Sequence, residues 1–267
     1  CAQQLGYPLM LKAAAGGGGR GLRILRDETE LTRSFALARG EAQSAFGDGR
    51  LYLERYLERA RHIEIQVLVD GHGKGVHLGE RDCSIQRRHQ KLLEESPSPA
   101  MSAARRRKLS ALAARAASAA ATLGYRNAGT MEFLMDEQGG FSFIEMNARL
   151  QVEHGITEAT YGLDLVQLQL AIAAGEPLPP VIPAPRGHAI ECRINAEDPD
   201  NNFAPRAGLL EEFIPPGGPG VRVDTHAFAG YRIPPFYDSL LAKVIVYGLD
   251  RAAAIARTVS YTHLTLP

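Results

Sequence analysis

The sequence predicts an α+β chain folded into two or three compact lobes, and three patterns carry that prediction. Apolar residues alternate strictly from Arg61 to Asp70, the turn sequence Asp136-Glu137-Gln138-Gly139-Gly140 separates two aromatic-bearing strands, and helical stripes lie between the strand signals. At 267 residues with 45% hydrophobic content, the chain can bury a real core. Lys+Arg 30 against Asp+Glu 30 leaves no net charge, which argues against nucleic acid or an anionic membrane as the main partner. The dense basic block Arg105-Arg106-Arg107-Lys108 opens an alanine-rich helical stretch and reads as a solvated helix face. Cys1, Cys83 and Cys192 are an odd number at wide spacing without a C-x-x-C pair, which fits a reducing compartment. No apolar run is long enough to cross a bilayer and no signal peptide precedes the first strand, so the expectation is a soluble, cytoplasmic protein, or an organellar one in a eukaryote.

The elements follow in order. Tyr7 to Ala14 reads as a strand, Gly16 to Gly19 as a loop and Leu22 to Leu25 as a second strand. A helix comes next, capped by Asp27 with Glu30 in the capping-box position and a core stripe at Leu31, Phe35, Ala38 and Ala42. From Arg61 to Asp70, Ile63, Ile65, Val67 and Val69 share one face, leaving His62, Glu64 and Gln66 on the other. A helix from about Ala103 to Leu123 leads into the hairpin, and after Gln151-Val152-Glu153-His154 one helix runs through Leu165, Leu168 and Ile172 to Gly175. Pro177 to Pro185 is a proline-rich connector. A further β-rich lobe starts at Gly187, with His188, Ile190, Cys192 and Ile194 on one face and Glu191, Arg193 and Asn195 on the other. The sequence has no internal repeats.

The hairpin holds the most informative pair. With a two- or four-residue loop centred on Gln138 and Gly139, antiparallel pairing sets Glu132 directly opposite Glu145, with Cβ atoms at roughly 4.5–5.5 Å. Like charges so placed destabilise a sheet unless a cation lies between them, and alternation brings Asn147 to the face of Glu145. Glu132, Glu145 and Asn147 therefore form a candidate all-oxygen site for Mg²⁺ or Mn²⁺. The competing reading is a solvated charged edge whose carboxylates never meet; Phe133, Phe141 and Phe143 favour a packed hairpin.

Gly16, Gly18 and Gly21 spell G-x-G-x-x-G after a strand. A dinucleotide-binding fold needs a helix to begin inside that motif, whereas Leu22-Arg23-Ile24-Leu25 is strand-like, and no G-x-x-x-x-G-K-[ST] phosphate loop is present. Gly16, Gly17, Gly18 and Gly19 instead suit a lid whose backbone N–H groups close over phosphates, with Lys12 adding a point charge; the competing reading is a plain flexible loop.

With the lid and acidic hairpin stand two long runs, Glu80-Arg81-Asp82-Cys83-Ser84-Ile85-Gln86-Arg87-Arg88-His89-Gln90-Lys91 and Asn147-Ala148-Arg149-Leu150-Gln151-Val152-Glu153-His154. A third run extends from Gly187-His188-Ala189-Ile190-Glu191-Cys192-Arg193 to Pro199. On these residues the chain closely resembles biotin carboxylases, from about Gly6 to about Arg257.

The resemblance implies an ATP-grasp fold: two β-rich lobes enclosing ATP, followed by an incomplete biotin carboxylase C-terminal domain. It divides the chain into a lid subdomain at 1–57, a core lobe at 58–182 carrying the metal and bicarbonate site, a C-terminal domain at 187–260 and a non-native tail at 261–267. The implied activity is ATP- and bicarbonate-dependent carboxylation of biotin through carboxyphosphate. Lys12, the glycine loop and His62 are implied on the phosphate side of ATP, Glu54, Arg55 and Leu57 at the adenine hinge, and Gln86 and His89 at the ribose. Glu132, Glu145 and Asn147 match the metal positions; Lys91, Arg149, Gln151, Val152 and Glu153 match the bicarbonate pocket, with Glu153 as general base. Arg193 is implied to stabilise the enolate of biotin's ureido oxygen. Taken singly, each charge reads better as an ordinary surface ion pair; it is jointly, in order and on the expected faces, that they favour the functional reading.

The implied cofactors are ATP and Mg²⁺ or Mn²⁺, with biotin as a carrier-bound substrate. The implied partners are a biotin carboxyl carrier, a carboxyltransferase and, for the complete enzyme, a second copy. There is no A-M-K-M biotinylation motif, so biotin arrives on another domain or chain. Arg55 stands where many relatives carry Lys, and Gly155 where proline is common, which implies a looser bicarbonate loop. The resemblance also implies that the chain begins inside the enzyme, after an N-terminal domain, and that Tyr261 to Pro267 has no counterpart in it. Another bicarbonate-activating ATP-grasp ligase and a non-catalytic nucleotide-binding module remain the rivals.

Overall fold

The structure is a computed structural model that describes residues 2–16 and 22–259. The expectations for Cys1, Gly17, Gly18, Gly19 and Gly21, and for the tail at 261–267, lie outside the described residues. The chain divides into two compact units, Cys1–Ala60 with Gln86–Gln90, and Arg61–Ile85 with Lys91–Pro267.

The first unit contains α1 (Ala2–Leu5), β1 (Leu9–Ala13), β2 (Arg23–Leu25), α2 (Glu28–Phe46) and β3 (Leu51–Arg55). Its strands form an antiparallel sheet in the order β2-β1-β3, and Leu9, Leu11, Leu25 and Ala38 make the core. Asp27 caps α2 by accepting the Glu30 N–H at 2.8 Å. The reciprocal half of the expected capping box is displaced: Glu30 Oε2 accepts the Arg26 N–H at 2.8 Å, one residue upstream of the cap. The first strand is shorter than expected, and Phe35 leaves the predicted stripe, being 45% exposed. Three short strands cover only the narrow face of α2 centred on Ala38 and Ala42.

The second unit is built on β4 (Arg61–Val69), β5 (Gly75–Arg87), β6 (Gln90–Ser96), α3 (Ala103–Thr122), β7 (Asn127–Met135), β8 (Phe141–Asn147), α4 (His154–Tyr161), α5 (Leu165–Ala173) and β9 (His188–Asn195). It continues with β10 (Glu197–Asp198), β11 (Ala204–Pro205), β12 (Gly208–Leu210), β13 (Val221–Thr225), β14 (Tyr231–Ile233), β15 (Leu240–Gly248) and α6 (Arg251–Thr258). The residues at the β5–β6 turn, Gln86–Gln90, belong to the first unit.

One eight-stranded sheet runs β13-β15-β9-β6-β5-β4-β7-β8. The strand that begins at His188 pairs with β6 through Leu93↔Cys192 and Glu94↔Glu191, so the sequence after Gly187 extends this sheet instead of starting one of its own. The expected apolar face of β4 packs Ile63, Ile65 and Val67 with Met131 and Phe133 against Leu109, Ala113 and Ala117 of α3. Burial of each large aliphatic side chain contributes about 1.5–3 kcal/mol. Leu68 and Leu78 pack with Tyr161, Leu165 and Ile172 in a second cluster.

Three expectations change. The helix after His154 is two helices, because Gly162 ends α4 in the left-handed region at φ 65° and Asp164 caps α5 by accepting the Gln167 N–H. The basic block is only partly solvated: Arg106 Nε reaches the buried Glu80 at 2.7 Å, and Arg105 Nη2 donates to the Gln138 carbonyl at 3.1 Å. The hairpin loop is neither two nor four residues long. Met135 pairs with Phe141 across Asp136–Gly140, where Gly139 takes φ 83° and Asp136 Oδ1 accepts the Gly140 N–H at 2.6 Å. β8 is an edge strand, so Phe143 stays 60% exposed although its ring meets Phe133 edge-on at 5.6 Å. Among the described residues no helix is long and apolar enough to cross a membrane.

Candidate active site

Strand register assembles the site. Arg81 on β5 faces Glu64 on β4, Glu64 faces Glu132 on β7, and Glu132 faces Glu145 on β8, so one row of charged side chains crosses four strands on one face. The adjacent row places Gln66 opposite Thr130 and Thr130 opposite Asn147. Glu132 meets Glu145 through a register shift: Phe133 pairs with Phe143, Glu132 pairs with Glu145, and Ile144 is the extra residue of a β-bulge.

The predicted oxygen donors converge. Asn147 Nδ2 donates to Glu132 Oε1 at 2.9 Å and to Glu145 Oε1 at 3.3 Å, bringing both carboxylates onto one amide. Turning that amide end for end would present Oδ1 at the same point and leave three hard oxygen donors, which fits Mg²⁺ or Mn²⁺. A second group of potential ligand atoms, from His62, Glu64 and Glu132, lies within 4.8 Å of one another. There two carboxylates flank the His62 ring. Burial pulls its pKa down, but its contacts with Glu132 and Glu64, each 3.1 Å from Nε2, outweigh that and lift it to about 9. His62 would bring a nitrogen donor to that second group, whereas the hairpin trio is all oxygen, the donor set that Mg²⁺ or Mn²⁺ prefers.

The anion-side residues gather around two basic groups. Lys91 Nζ contacts Glu64, and lies 2.8 Å from Glu153 Oε1 and 3.3 Å from Glu132 Oε1. Burial opposes its charge, yet Glu64 and Glu153 raise its pKa above the usual lysine range. Glu153 occupies the N-cap position of α4 without capping it, which frees its carboxylate. Arg193 Nη2 reaches Glu153 Oε2 at 2.9 Å while its Nε donates to Glu94 Oε1 at 2.7 Å. Gln151 Nε2 donates to Glu132 Oε1 at 2.8 Å, joining the anion-side residues to the acidic row.

The remaining expected residues are less convergent. Arg149 is exposed and donates to the Leu150 carbonyl at 3.3 Å and to Asn147 Oδ1 at 3.4 Å. Val152 contributes its carbonyl, which accepts from Lys243 Nζ at 2.9 Å. Gly155 lies buried in the first turn of α4, where a Cβ would collide with Ile245 Cδ1. In the first unit Lys12 Nζ lies 2.5 Å from Glu54 Oε2, a diagonal pair across β1 and β3; Arg55 and His89 are exposed, and Leu57, Gln86 and Gly16 are half-buried.

Sequence reasoning missed the residues that hold the site from beneath. Arg81 is fully buried and donates to Glu64 Oε2, Gln66 Oε1 at 2.7 Å, Thr130 Oγ1 and Thr157 Oγ1 at 3.1 Å each, and Gln151 Oε1 at 3.4 Å. Burial raises the pKa of Glu64, but His62, Arg81 and Lys91 hold it well below the ordinary carboxylate value. The available signal was the alternation that placed Glu64 and Gln66 beside His62, because that face is buried rather than solvated.

Comparison with known proteins bears on the same regions. The family described as carbamoyl-phosphate synthase L chain, ATP binding domain, matches residues 1–181, and the biotin carboxylase C-terminal domain matches residues 191–263. A biotin carboxylase of Nostoc sp. is 54% identical over 260 residues, covering 96% of this chain and 57% of its own length. A pyruvate carboxylase subunit of Methanothermobacter thermautotrophicus is 52% identical, with 96% and 52% covered. Among solved structures, the biotin carboxylase domain dimer of Hydrogenobacter thermophilus 2-oxoglutarate carboxylase, in complex with MgADP, ADP and bicarbonate, superposes with a TM-score of 0.93 at 49% identity, covering 99% of this chain and 58% of that one. The chain thus spans about half the length of the curated relatives it matches.

Proposed function

The chain belongs to the biotin carboxylase family, with an α+β ATP-grasp fold, and on that premise we propose that it carries the site for ATP- and bicarbonate-dependent carboxylation of biotin. The observation that carries the proposal is the continuity of the acidic row Glu64-Glu132-Glu145 with the basic pair Lys91 and Arg193 around Glu153. A divalent cation held by Glu132, Glu145 and Asn147 would neutralise phosphate charge. Lys91 and Arg149 hold the bicarbonate and the developing phosphate charge, and Gln151 and Val152 shape the pocket. Glu153 takes the bicarbonate proton, which makes a poor nucleophile competent, and the product of its attack on the γ-phosphate is carboxyphosphate. Arg193, a fixed cation, stabilises the enolate oxygen of biotin.

On the nucleotide side, Lys12, Gly16 to Gly19 and His62 serve the phosphates, Glu54, Arg55 and Leu57 the adenine, and Gln86 and His89 the ribose. The protein works in the cytoplasm with a biotin carboxyl carrier, a carboxyltransferase that delivers the carboxyl group to acetyl-CoA or another acyl-CoA, and a second copy of itself. Residues 1–57 act as the lid, 58–182 as the core lobe and 187–260 as the C-terminal domain. ADP release by the complete protein carrying this chain should require bicarbonate and rise with free biotin; release indifferent to bicarbonate overturns the reading.

A second reading is another bicarbonate-activating ATP-grasp ligase, favoured by the match of residues 1–181 to the carbamoyl-phosphate synthase ATP-binding family. The two part at Arg193, which only the biotin reaction needs.

A further inference from the structure

Beside the proposed catalytic groups lies a pair of carboxyl groups with no role in them. Glu94 on β6 and Glu191 on β9 are directly paired across the strands, and both are 0% exposed. Glu94 Oε1 accepts Arg193 Nε at 2.7 Å, whereas Glu94 Oε2 and both oxygens of Glu191 are buried with no hydrogen-bond partner. Two ionised carboxylates in that position would face each other at close range in a dry site. The nearby cations are committed elsewhere. Lys243 Nζ donates to the Val152 carbonyl at 2.9 Å and lies 3.2 Å from Asp224, and Arg193 spans Glu94 and Glu153. On its other sides Glu191 meets apolar packing: Ile245 is its strand partner on β15, and a Cβ at Gly155 would lie 3.4 Å from Glu191 Oε2.

We propose that Glu94 and Glu191 share a single proton, Glu191 being the neutral member, and that this pair is a positioning unit that fixes Arg193 against Glu153. One negative charge on the pair, delivered through Glu94, matches the Nε side of the guanidinium and leaves Nη2 for Glu153. A second negative charge would draw Arg193 away from Glu153. The shared proton also gives an orphaned oxygen a donor. The electrostatics agree: burial raises Glu94 to about 7 against the pull of Arg193, and burial together with Glu94 pushes Glu191 well above the carboxylate range. The charged and titratable groups acting on the pair are Arg193 from β9, Lys243 from β15, Glu153 at the start of α4, Glu64 from β4 and the buried thiol of Cys83 from β5, with Cys192 behind them on the opposite face of β9.

The positioning role rests on the biotin carboxylase reading, whereas the shared proton does not, so the test separates them. Infrared spectra of the complete protein at about pH 7 should contain the carbonyl band of a buried, protonated carboxylic acid. Glu191→Gln should remove it. Absence of the band in the wild-type protein overturns the proposal whatever the variants do, as does a band that survives Glu191→Gln. Glu94→Gln should lower biotin-dependent turnover about tenfold with KM for ATP unchanged, and Glu191→Gln should flatten the alkaline decline of kcat. Wild-type turnover in Glu94→Gln, or an unaltered pH profile in Glu191→Gln, removes the positioning role. A protein that shows the band but never carboxylates biotin refutes the functional reading and leaves the pair intact.

Discussion

Glu132 faces Glu145 because Ile144 is bulged out of the β7–β8 ladder. The register from Met135↔Phe141 to Phe133↔Phe143, continued without interruption, would set Glu132 against Ile144 and turn Glu145 to the opposite face. One extra residue therefore puts both carboxylates and Asn147 on the face that carries Glu64.

Glu145→Gln should weaken Mg²⁺-ATP binding about tenfold, equivalent to about 1.4 kcal/mol, while leaving Mg²⁺-free nucleotide binding alone. Isothermal titration with and without EDTA measures both. Equal affinity in the presence of Mg²⁺ would remove Glu145 from the metal site.

Arg193→Ala should depress biotin-dependent turnover at least tenfold more than the bicarbonate-dependent, biotin-independent ATPase. Arg193 is hydrogen-bonded to Glu153 and Glu94, but Lys91 still holds Glu153 in the variant, so the bicarbonate step loses less than the biotin step. Parallel loss of both activities would favour the second ligase reading.

Arg81→Met should destabilise the fold by about 3–5 kcal/mol, because it strands the charge of the fully buried Glu64 and unpairs Gln66, Thr130 and Thr157 together. Urea unfolding gives the number. A loss below about 1 kcal/mol would mean that Lys91 and His62 hold Glu64 without it.

Acid should loosen the contact of β6 with β9 and α6 through Glu95. Burial raises the pKa of this carboxyl, but His188 Nε2 at 2.8 Å and Arg251 Nε at 2.7 Å outweigh that and bring it below its ordinary value of 4.5. A folded-state pKa below the unfolded one gives stability that is present above about pH 4.5 and disappears as pH falls through the folded value. Glu95→Gln should therefore flatten the acid limb of a stability-against-pH curve; an unchanged limb would assign acid lability to other carboxylates.

The sequence by itself determined the periodic elements and the residue types at the site. Strict alternation in β4, the Asp27 cap and the hairpin turn are encoded by neighbours in sequence, where a period of two or of 3.6 suffices. The facing of Glu132 and Glu145 was legible for the same reason, although the route to it was not: a five-residue loop and a bulge replace the even loop, and either geometry gives the same parity. What only the tertiary structure decided lies in the pairing of distant strands. Arg81, Glu94 and Glu191 read as ordinary charges in sequence and become buried because β5, β6 and β9 are interior strands of one sheet. Arg193 meets Glu153, 40 residues away at the start of α4, because α4 packs against β9. Burial and electrostatic partnership depend on which strands become neighbours, and local periodicity does not encode that choice.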